Sequence, residues 1–354
     1  MATNYEQTAA DVKANLEKTS LSTETKAAIE KAIGTGGKVA VTTVAVTNAD
    51  LQGAKIAQTA GGTIDLSKAS AKDVAALEAI VITGDKATDI TIKNNNFNGT
   101  VVLGDGAGKV NLATNKAVTV ETGKGNDSVT TGSAGDSVTV AAGNDTVNTG
   151  AGNDKVTIKA GFEGKATLDG GTGTNTLSLA GVGKVTVDAK GALVFTMNNN
   201  ATGHEASVTA KNFGAVILGN DASELALSSS KTALNLTTGT GNDTVTLGSG
   251  KDSMVLGGGN DSINAGGGAD IVKLAAGFKG NATIDGGAGT DKVDLSALAI
   301  KDAVKVDATH VNVTLANGSV VSIANAESFV YDANGDAAGG IKTVGLTTLD
   351  KVVF

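Results

Sequence analysis

The sequence predicts a mainly β chain, in which two parallel β-roll blocks lie within a β-rich, solenoid-like chain that follows a short N-terminal helical segment. Three observations predict this class. Asp recurs every nine residues in two groups of four, and 49 of the 354 residues are Gly while Pro, Cys and Trp are absent. Short runs rich in Val, Thr and Ile alternate with Gly, Asn and Asp, which is typical of strands joined by turns.

The first element is helical. Residues 4 to about 33 place Ala, Val, Leu and Ile three and four positions apart, which is the period of an amphipathic helix. The glycine-rich run at residues 34–37 ends this pattern. We therefore predict an N-terminal helical segment over residues 1–35 and, within the β-rich part, one short helix at residues 69–79.

The β-rich remainder contains a duplication. One group of four Asp residues returns 116 residues later as the second group, and residues around each group are also matched. We predict a β-rich domain over residues 36–201 with a first β-roll at about 122–179. A duplicated β-rich domain over residues 202–354 holds the second β-roll, at about 238–295.

Each repeat has the form Gly-x-Gly-Asn-Asp-x-apolar-x, as in residues 123–130, with substitutions at individual positions. Gly permits tight turns and exposes backbone carbonyls, Asp adds an anionic oxygen, and Ca²⁺ takes six to eight oxygen ligands. The apolar residue two positions after Asp points inward from a short strand. The pattern therefore predicts Ca²⁺ sites in the turns. The predicted ligands within the repeats are Gly123, Gly125, Asp127, Asp136, Gly143, Asp145, Gly152, Asp154, Gly239, Gly241, Asp243, Gly250, Asp252, Gly259, Asp261, Gly268 and Asp270.

One coil of such a roll uses two nonapeptides, so turns on one side are 18 residues apart in sequence and stack at about the 4.7–4.9 Å strand spacing. Asp127 should then face Asp145, and Asp136 should face Asp154, with the same pairing in the second block. Without cations, stacked carboxylates a few ångströms apart repel one another by about 1–4 kcal/mol. We therefore expect calcium to decide whether the blocks fold.

After four repeats the Asp register breaks, because Glu163 and Lys279 occupy the next Asp position of the two blocks. A shift of three residues restores it, and we expect weaker calcium sites at these edges. The predicted edge ligands are Asp169, Asn175, Asp285 and Asp291. An ordinary antiparallel sheet with Gly-Asn-Asp hairpin turns is the alternative, but hairpins do not require eight Asp residues in nine-residue register.

The blocks resemble the nonapeptide repeats of the RTX family, whose members are bacterial proteins exported by type I secretion. The resemblance implies calcium-binding β-rolls, export in the unfolded state with an uncleaved C-terminal signal, and folding by calcium outside the cell. The polar, acidic N-terminus does not have the pattern of a cleaved secretory signal. Residues 346–354 are similar to RTX secretion tails, although an apolar C-terminus is also typical of a last strand docked on a sheet.

Composition and motifs exclude several functional classes. A net charge of −8 and the absence of Arg argue against nucleic acid as a partner, and no apolar run reaches the roughly 18 residues of a membrane span. Without Cys there are no disulfides and no thiolate metal sites. The two histidines, His204 and His310, are far apart in sequence, and the chain has neither a His-Glu-x-x-His nor a Gly-x-Ser-x-Gly motif. We expect no enzyme activity.

The sequence favours a calcium-dependent, self-assembling extracellular structural protein, similar to RTX surface-layer or biofilm-matrix proteins. Its expected partner is itself, in a homo-oligomer, lattice or filament, with a cell-surface polysaccharide as a further candidate. Its expected location is the bacterial cell surface or the extracellular matrix. An RTX adhesin or glycan-binding module is the alternative, and a secreted enzyme is less favoured. An ice-binding roll is disfavoured because the turns carry no regular array of Thr.

Overall fold

The structure is a computed structural model of the chain. It describes Thr23 and residues 26–27, 29–30, 38–42, 45–46, 54–59, 61–179, 185–189, 193–198, 205–228, 230–332, 341–346 and 352–353. The described residues of the predicted N-terminal helical segment, residues 23, 26–27 and 29–30, are helical. The rest of that segment lies outside the described residues, as does most of the predicted secretion tail.

The short helix predicted at residues 69–79 is present as α1 (Ala71–Ala76). Ser70 is its N-cap, since its Oγ accepts a hydrogen bond from the backbone N–H of Asp73 at 3.1 Å and donates one to the Asp73 carboxylate at 2.6 Å. This reciprocal capping satisfies donors that a helix start leaves free. Val74 is buried, so the helix packs one apolar side chain inward.

The chain divides into two compact units, one of residues 1–177 with 208–213 and the other of residues 178–207 with 214–354. Strands β15 (Thr176–Leu179) and β18 (Glu205–Lys211) have residues in both units. The domain boundary predicted between residues 201 and 202 stays a prediction.

The first unit is a parallel β-solenoid of two sheets, and successive strands along the chain alternate between the sheets. The first sheet is formed in order by β1 (Lys38–Thr42), β3 (Ala54–Thr59), β5 (Ala79–Ile82), β7 (Thr100–Val102), β9 (Thr119–Glu121), β11 (Ser137–Val140) and β13 (Lys155–Ile158). The second sheet is formed by β2 (Ala45–Val46), β4 (Gly62–Asp65), β6 (Thr88–Ile92), β8 (Gly108–Leu112), β10 (Ser128–Thr130), β12 (Gly143–Asn148) and β14 (Gly164–Asp169). One strand from each sheet therefore makes one coil.

The second unit has the same two-sheet, parallel arrangement around the second of the two repeat blocks. Its first sheet is formed by β19 (Ala215–Leu218), β21 (Asn235–Thr237), β23 (Ser253–Leu256), β26 (Ile271–Leu274), β29 (Lys292–Asp294), β33 (Ser328–Asp332) and β34 (Ile341–Gly345). Its second sheet is formed by β17 (Leu193–Asn198), β16 (Val185–Ala189), β20 (Glu224–Ala226), β22 (Thr244–Thr246), β24 (Asp261–Asn264), β27 (Ala282–Asp285), β32 (Val320–Ala324), β31 (His310–Leu315), β30 (Ile300–Lys305) and β35 (Val352–Val353). A further parallel pair is β25 (Gly267–Gly268) with β28 (Ala288–Gly289).

The second unit adds antiparallel pairing after its block. β31 pairs antiparallel with both β30 and β32, and β33 pairs antiparallel with β34. Hairpins can make such pairs with short connections, whereas parallel pairs need a full coil between them. The repeat-free sequence after residue 295 still adds one parallel coil, in which β32 pairs with β27 and β33 pairs with β29, and the antiparallel strands attach to that coil.

The core is a stack of aliphatic side chains in register. Val129 lies opposite Val147 in β12, and Val138 lies opposite Val156 in β13. The eight apolar residues that follow each repeat Asp by two positions are at most 3 % exposed. Strand alternation points them into the space between the two sheets and leaves the flanking Ser, Thr, Asn and Lys outside. The inward apolar position predicted from the nonapeptide is thus confirmed.

Candidate metal sites in the coil turns

The turns between strands bring the backbones of neighbouring coils into very close approach. Gly143, at φ +112°, stands so near the preceding coil that a Cβ atom would overlap the carbonyl oxygen of Gly125. In the second block a Cβ on Gly259 would overlap the carbonyl oxygen of Gly241 in the same way. Only glycine fits such positions. The other glycines predicted as ligands also approach the backbone of the previous coil to under 3.0 Å from an ideal Cβ: Gly123, Gly125, Gly152, Gly239, Gly241, Gly250 and Gly268.

The eight repeat Asp residues form ladders along the turns, and each is at most 4 % exposed. In every predicted pair the backbone N–H of one Asp donates to Oδ1 of the Asp 18 residues later. The pairs are Asp127 with Asp145 (2.8 Å), Asp136 with Asp154 (2.7 Å), Asp243 with Asp261 (3.0 Å) and Asp252 with Asp270 (2.7 Å). The structure therefore brings together the carboxylates that the eighteen-residue spacing pairs.

The first Asp of each ladder makes the same contact to the coil before it. Gly108 donates to Asp127 Oδ1 at 2.6 Å, and Val118 donates to Asp136 Oδ1 at 3.0 Å. In the second block Ser223 and Leu234 donate to the Oδ1 atoms of Asp243 and Asp252, each at 2.8 Å. Oδ1 thus joins neighbouring coils by a hydrogen bond, and Oδ2 is the carboxylate oxygen that remains for metal binding.

Most of the second carboxylate oxygens have no hydrogen-bond donor. Six Oδ2 atoms are buried without a partner: those of Asp145, Asp154, Asp243, Asp261, Asp270 and Asp291. A buried anionic oxygen with no donor is costly, and a bound cation removes that cost. In the first block, by contrast, the Oδ2 atoms of Asp127 and Asp136 accept from the backbone N–H groups of Gly123 (3.1 Å) and Gly132 (3.2 Å).

These oxygens fit Ca²⁺, which prefers carboxylate and carbonyl ligands. Among the described residues there is no group of three or more His, Cys, Asp or Glu side chains that could hold a metal ion. We expect backbone carbonyls to supply the remaining ligands, because the glycine turns bring the carbonyls of neighbouring coils close together. When bound, Ca²⁺ would supply two positive charges to a turn in which buried Asp carboxylates face one another.

Burial makes these carboxylates hard to ionise in the absence of metal. Burial, together with the neighbouring Asp127 carboxylate, raises the pKa of Asp145 to about 7. Burial likewise raises the pKa of Asp127 and of Asp261 to about 6. It also raises the pKa values of Asp136, Asp243, Asp252 and Asp270. The metal-free turns therefore oppose the negative charge that calcium requires.

At the edges of the blocks the structure extends one ladder and ends the other. Asp154 donates through its backbone N–H to Asn175 Oδ1 at 2.9 Å, across 21 residues instead of 18. On the opposite side Ala166 lies in register with Asp145, and Ala282 with Asp261, so that ladder stops. The break in the Asp register that was predicted at Glu163 and Lys279 is present. Because this coil has three extra residues, an Ala lies where the next Asp of the ladder would be.

The other two predicted edge ligands lie outside the ladder. Both Asp169 oxygens have protein donors, since Oδ1 accepts from Gly171 N–H at 2.9 Å and Oδ2 lies 2.8 Å from Lys211 Nζ. Asp285 Oδ1 accepts from Gly287 N–H at 3.0 Å and Asn325 Nδ2 at 2.9 Å. Both carboxylate oxygens of Asp169 are thus satisfied by donors of the protein.

A second ladder, of Asn side chains, was not assigned any role from the sequence. The Asn directly before the repeat Asp accepts from the backbone of the next coil. The contacts are Asn144 N–H to Asn126 Oδ1 (2.8 Å), Lys165 N–H to Asn144 Oδ1 (3.0 Å), Asn260 N–H to Asn242 Oδ1 (2.8 Å) and Asn281 N–H to Asn260 Oδ1 (2.9 Å). Asn at 18-residue spacing is the signal that could have revealed it.

His310 does not join these sites. His310 is half-exposed on the second unit, with Nδ1 2.8 Å from the Asp307 carboxylate. It is the first residue of β31. His204 lies outside the described residues.

The comparison with known proteins concerns the repeats. Residues 119–156 and 237–272 match the RTX calcium-binding nonapeptide repeat, in four copies. These segments contain all eight repeat Asp residues, whereas the edge residues from 169 to 175 and from 285 to 291 lie outside them. No curated protein matches the chain. Of the helices in the described part of the chain, none has the length and apolar character needed to cross a membrane.

Proposed function

Because the chain is an RTX calcium-binding repeat protein, we propose that it is a calcium-dependent, self-assembling structural protein of a bacterial surface layer or biofilm matrix. RTX repeat proteins are typically secreted, and their repeats form calcium-binding β-rolls. The observation that carries the proposal is the set of buried, donor-free Asp oxygens repeated in both blocks. Two blocks of this kind make calcium a condition for the folded state.

The calcium dependence suits export followed by folding. Extracellular calcium modules bind at about 10⁻⁴–10⁻³ M, so they are empty in cytosol and filled outside. Inside the cell the Asp ladders repel one another and their burial is unfavourable, which keeps the blocks unfolded for a type I channel. Outside, calcium neutralises the ladders, and the aliphatic stack between the sheets can form.

Self-assembly is supported by the strands after the second block. β34 is the last strand in the order of its sheet within the described residues, and Ile341 at its start is 59 % exposed. Val306, which follows β30, is also 59 % exposed. Edge strands are templates for pairing with another chain. We propose that a second copy of this chain is the main partner, with a cell-surface polysaccharide as a further candidate.

We propose no catalytic role for this chain. RTX repeats as a family are structural or toxin-like, and the titratable groups in the coil turns are engaged in the ladders. His310 pairs with an exposed Asp and stands apart from the buried carboxylates. An RTX adhesin or glycan-binding module is the competing function, and it differs in one property, since it binds a ligand without assembling.

The test is to add calcium to purified full-length chain that has been stripped with a chelator, and to follow size by light scattering and form by electron microscopy. We expect a lattice or filament at millimolar Ca²⁺ and none at equal Mg²⁺. A protein that folds with calcium yet stays monomeric at high concentration would contradict self-assembly. Retention on a polysaccharide resin by that monomer would favour the adhesin.

A further inference from the structure

The Asn ladder of the first unit stops at Asn126. In the two coils that follow, the backbone N–H of the residue before the Asp position donates to an Asn side chain of the coil before it, at 2.8 Å for Asn144 and 3.0 Å for Lys165. Continuing the strand register toward the N-terminus places Ala107 beside Asn126, and Ala87 beside Ala107. Ala has no side-chain acceptor, so the ladder does not extend into these earlier coils.

Three backbone N–H groups are therefore left without an acceptor. Within the part of the chain that the structure describes, the N–H groups of Ala87, Ala107 and Asn126 make no hydrogen bond. All three residues are exposed. Each occupies the same position of its coil, so the three donors recur at about the 4.7–4.9 Å spacing of neighbouring strands.

A groove lies over these donors, because small residues stand where the ladder would place Asn. It has a volume of about 470 Å³, and Ala87, Ala107 and Asn126 line it together with Gly62 and Gly108. Ligand sites in proteins typically have about 300–1,000 Å³. The groove crosses the strands of the second sheet, since its lining residues lie on β4, β6, β8 and β10 or in the turns before them.

The rim of the groove is polar and has no net charge. Four exposed residues on the outward side of the strands form it: Thr63, Asp89, Lys109 and Ser128. Asp89 lies opposite Lys109 in the strand register, so the two charges offset each other. An uncharged ligand that offers hydroxyl groups therefore suits this rim better than a strongly charged one.

The spacing of the donors distinguishes between two kinds of extended polymer. In an extended peptide the groups that point the same way recur every second residue, at about 6.6–6.8 Å, which does not match donors at the strand spacing. In a β-linked polysaccharide every sugar ring carries hydroxyl oxygens on both edges, and a hydroxyl both accepts and donates. Such a polymer can place one oxygen in each coil where Asn Oδ1 lies in the repeats.

We propose that this groove of the first unit binds an uncharged, β-linked polysaccharide, whose hydroxyl oxygens accept hydrogen bonds from the N–H groups of Ala87, Ala107 and Asn126. The C–H groups of the sugar rings pack on the floor of Ala and Gly. The inference rests on the polysaccharide partner named under the proposed function and assigns it a site and a chemical class. It requires neither a metal ion nor a second copy of the chain in the groove.

The test extends the Asn ladder into the groove. In Ala107→Asn the new side chain should accept the Asn126 N–H, as Asn126 accepts that of Asn144, and it should fill the groove. Ala222→Asn is the matched control, because Ala222 lies beside Asn242 in the second unit as Ala107 lies beside Asn126 in the first. Both variants should keep the wild-type circular dichroism spectrum in calcium, since the repeats already carry Asn at this position.

Binding is measured by affinity electrophoresis of the full-length chain in calcium, at protein concentrations that give no rise in light scattering. The probe is a soluble, uncharged β-linked glucan, and hyaluronan is the charged β-linked comparison. We expect the glucan to retard the wild type and Ala222→Asn equally, and to bind Ala107→Asn at least about tenfold more weakly, because its hydrogen bonds to the groove are lost. If Ala107→Asn does not fold, Ala87→Asn takes its place and the same loss is expected.

A wild type that the glucan does not retard would overturn the proposal, as would equal retardation of Ala107→Asn and the wild type. Retardation by hyaluronan and not by the glucan contradicts the assignment to an uncharged polymer. Lattice formation without glucan binding removes this site and leaves self-assembly standing, whereas glucan binding without a lattice supports the site and contradicts self-assembly.

Discussion

At the scale of the residue, each repeat Asp has two separate tasks, one for each oxygen. Oδ1 accepts a backbone N–H from the previous coil, and this contact is made by protein alone in all eight cases. Oδ2 has no hydrogen-bond partner in five of the repeat residues, and there it is available to a cation: Asp145, Asp154, Asp243, Asp261 and Asp270. Asn could perform the first task but not the second, so the choice of Asp reflects the need for charge.

The first prediction concerns pH in the absence of calcium. Burial raises the pKa of Asp145 to about 7 and that of Asp127 to about 6, from an ordinary value of 3.8. Between about pH 4 and 7 the folded state therefore holds more protons than the unfolded state, and its stability falls as pH rises through this window. In chelator and without urea, the β signal in circular dichroism should therefore be higher at pH 5 than at pH 8.

Calcium should reverse this dependence, because the metal binds the ionised form and displaces the protons. The variant Asp145→Asn should make the metal-free pH profile shallower, since Oδ1 can still accept while one of the titrating groups is gone. Asp89→Asn is the matched control, because Asp89 is exposed in β6. Equal β signals at pH 5 and pH 8 in chelator would be incompatible with buried carboxylates of raised pKa.

At the scale of the element, the coil is the unit that repeats, and its length decides which ladder continues. Coils of 18 residues keep both Asp ladders in register. The last coil has three extra residues, so one ladder ends on Ala166 while the other continues to Asn175. The glycine turns hold neighbouring coils in close approach, and we expect their carbonyls to line the metal sites.

A glycine substitution in these turns should therefore lower the stability of the fold by disturbing the turn, and not by disturbing the sheets. Gly143→Ala places a Cβ against the Gly125 carbonyl at a positive φ, and we expect a loss of about 1–3 kcal/mol in stability measured by urea unfolding in calcium. Gly214→Ala is the control, because nothing lies within 4 Å of its Cβ position. Equal losses in the two variants would show that close approach of the coils is not the cause.

The nonapeptide alone predicts the solenoid, the inward apolar positions and the Asp pairs, because all three follow from one period. It does not predict which residues satisfy the polar groups at the ends of the two blocks. The partners of Asp169 are Lys211 and Asn212, about 40 positions away, and no local pattern connects them. The role of Asn175 likewise depends on carbonyls that only the folded coil brings together.

At the scale of the whole molecule, the two compact units each contain one calcium block. The net charge of −8 belongs to the metal-free chain, and each bound Ca²⁺ offsets two units of it. Each site filled at a hundredfold excess of calcium over its dissociation constant contributes about 2.7 kcal/mol to stability. If each block holds more than one such site, we expect the folded state to depend on calcium.

A calcium titration of the chelator-stripped full chain, followed by far-ultraviolet circular dichroism, shows whether calcium folds the two blocks. We expect a weakly structured chain in chelator at pH 8 and a cooperative rise of β signal at about 10⁻⁴–10⁻³ M Ca²⁺, with no comparable rise at equal Mg²⁺. A spectrum that is already fully β in chelator at pH 8, and unchanged by calcium, would contradict this expectation.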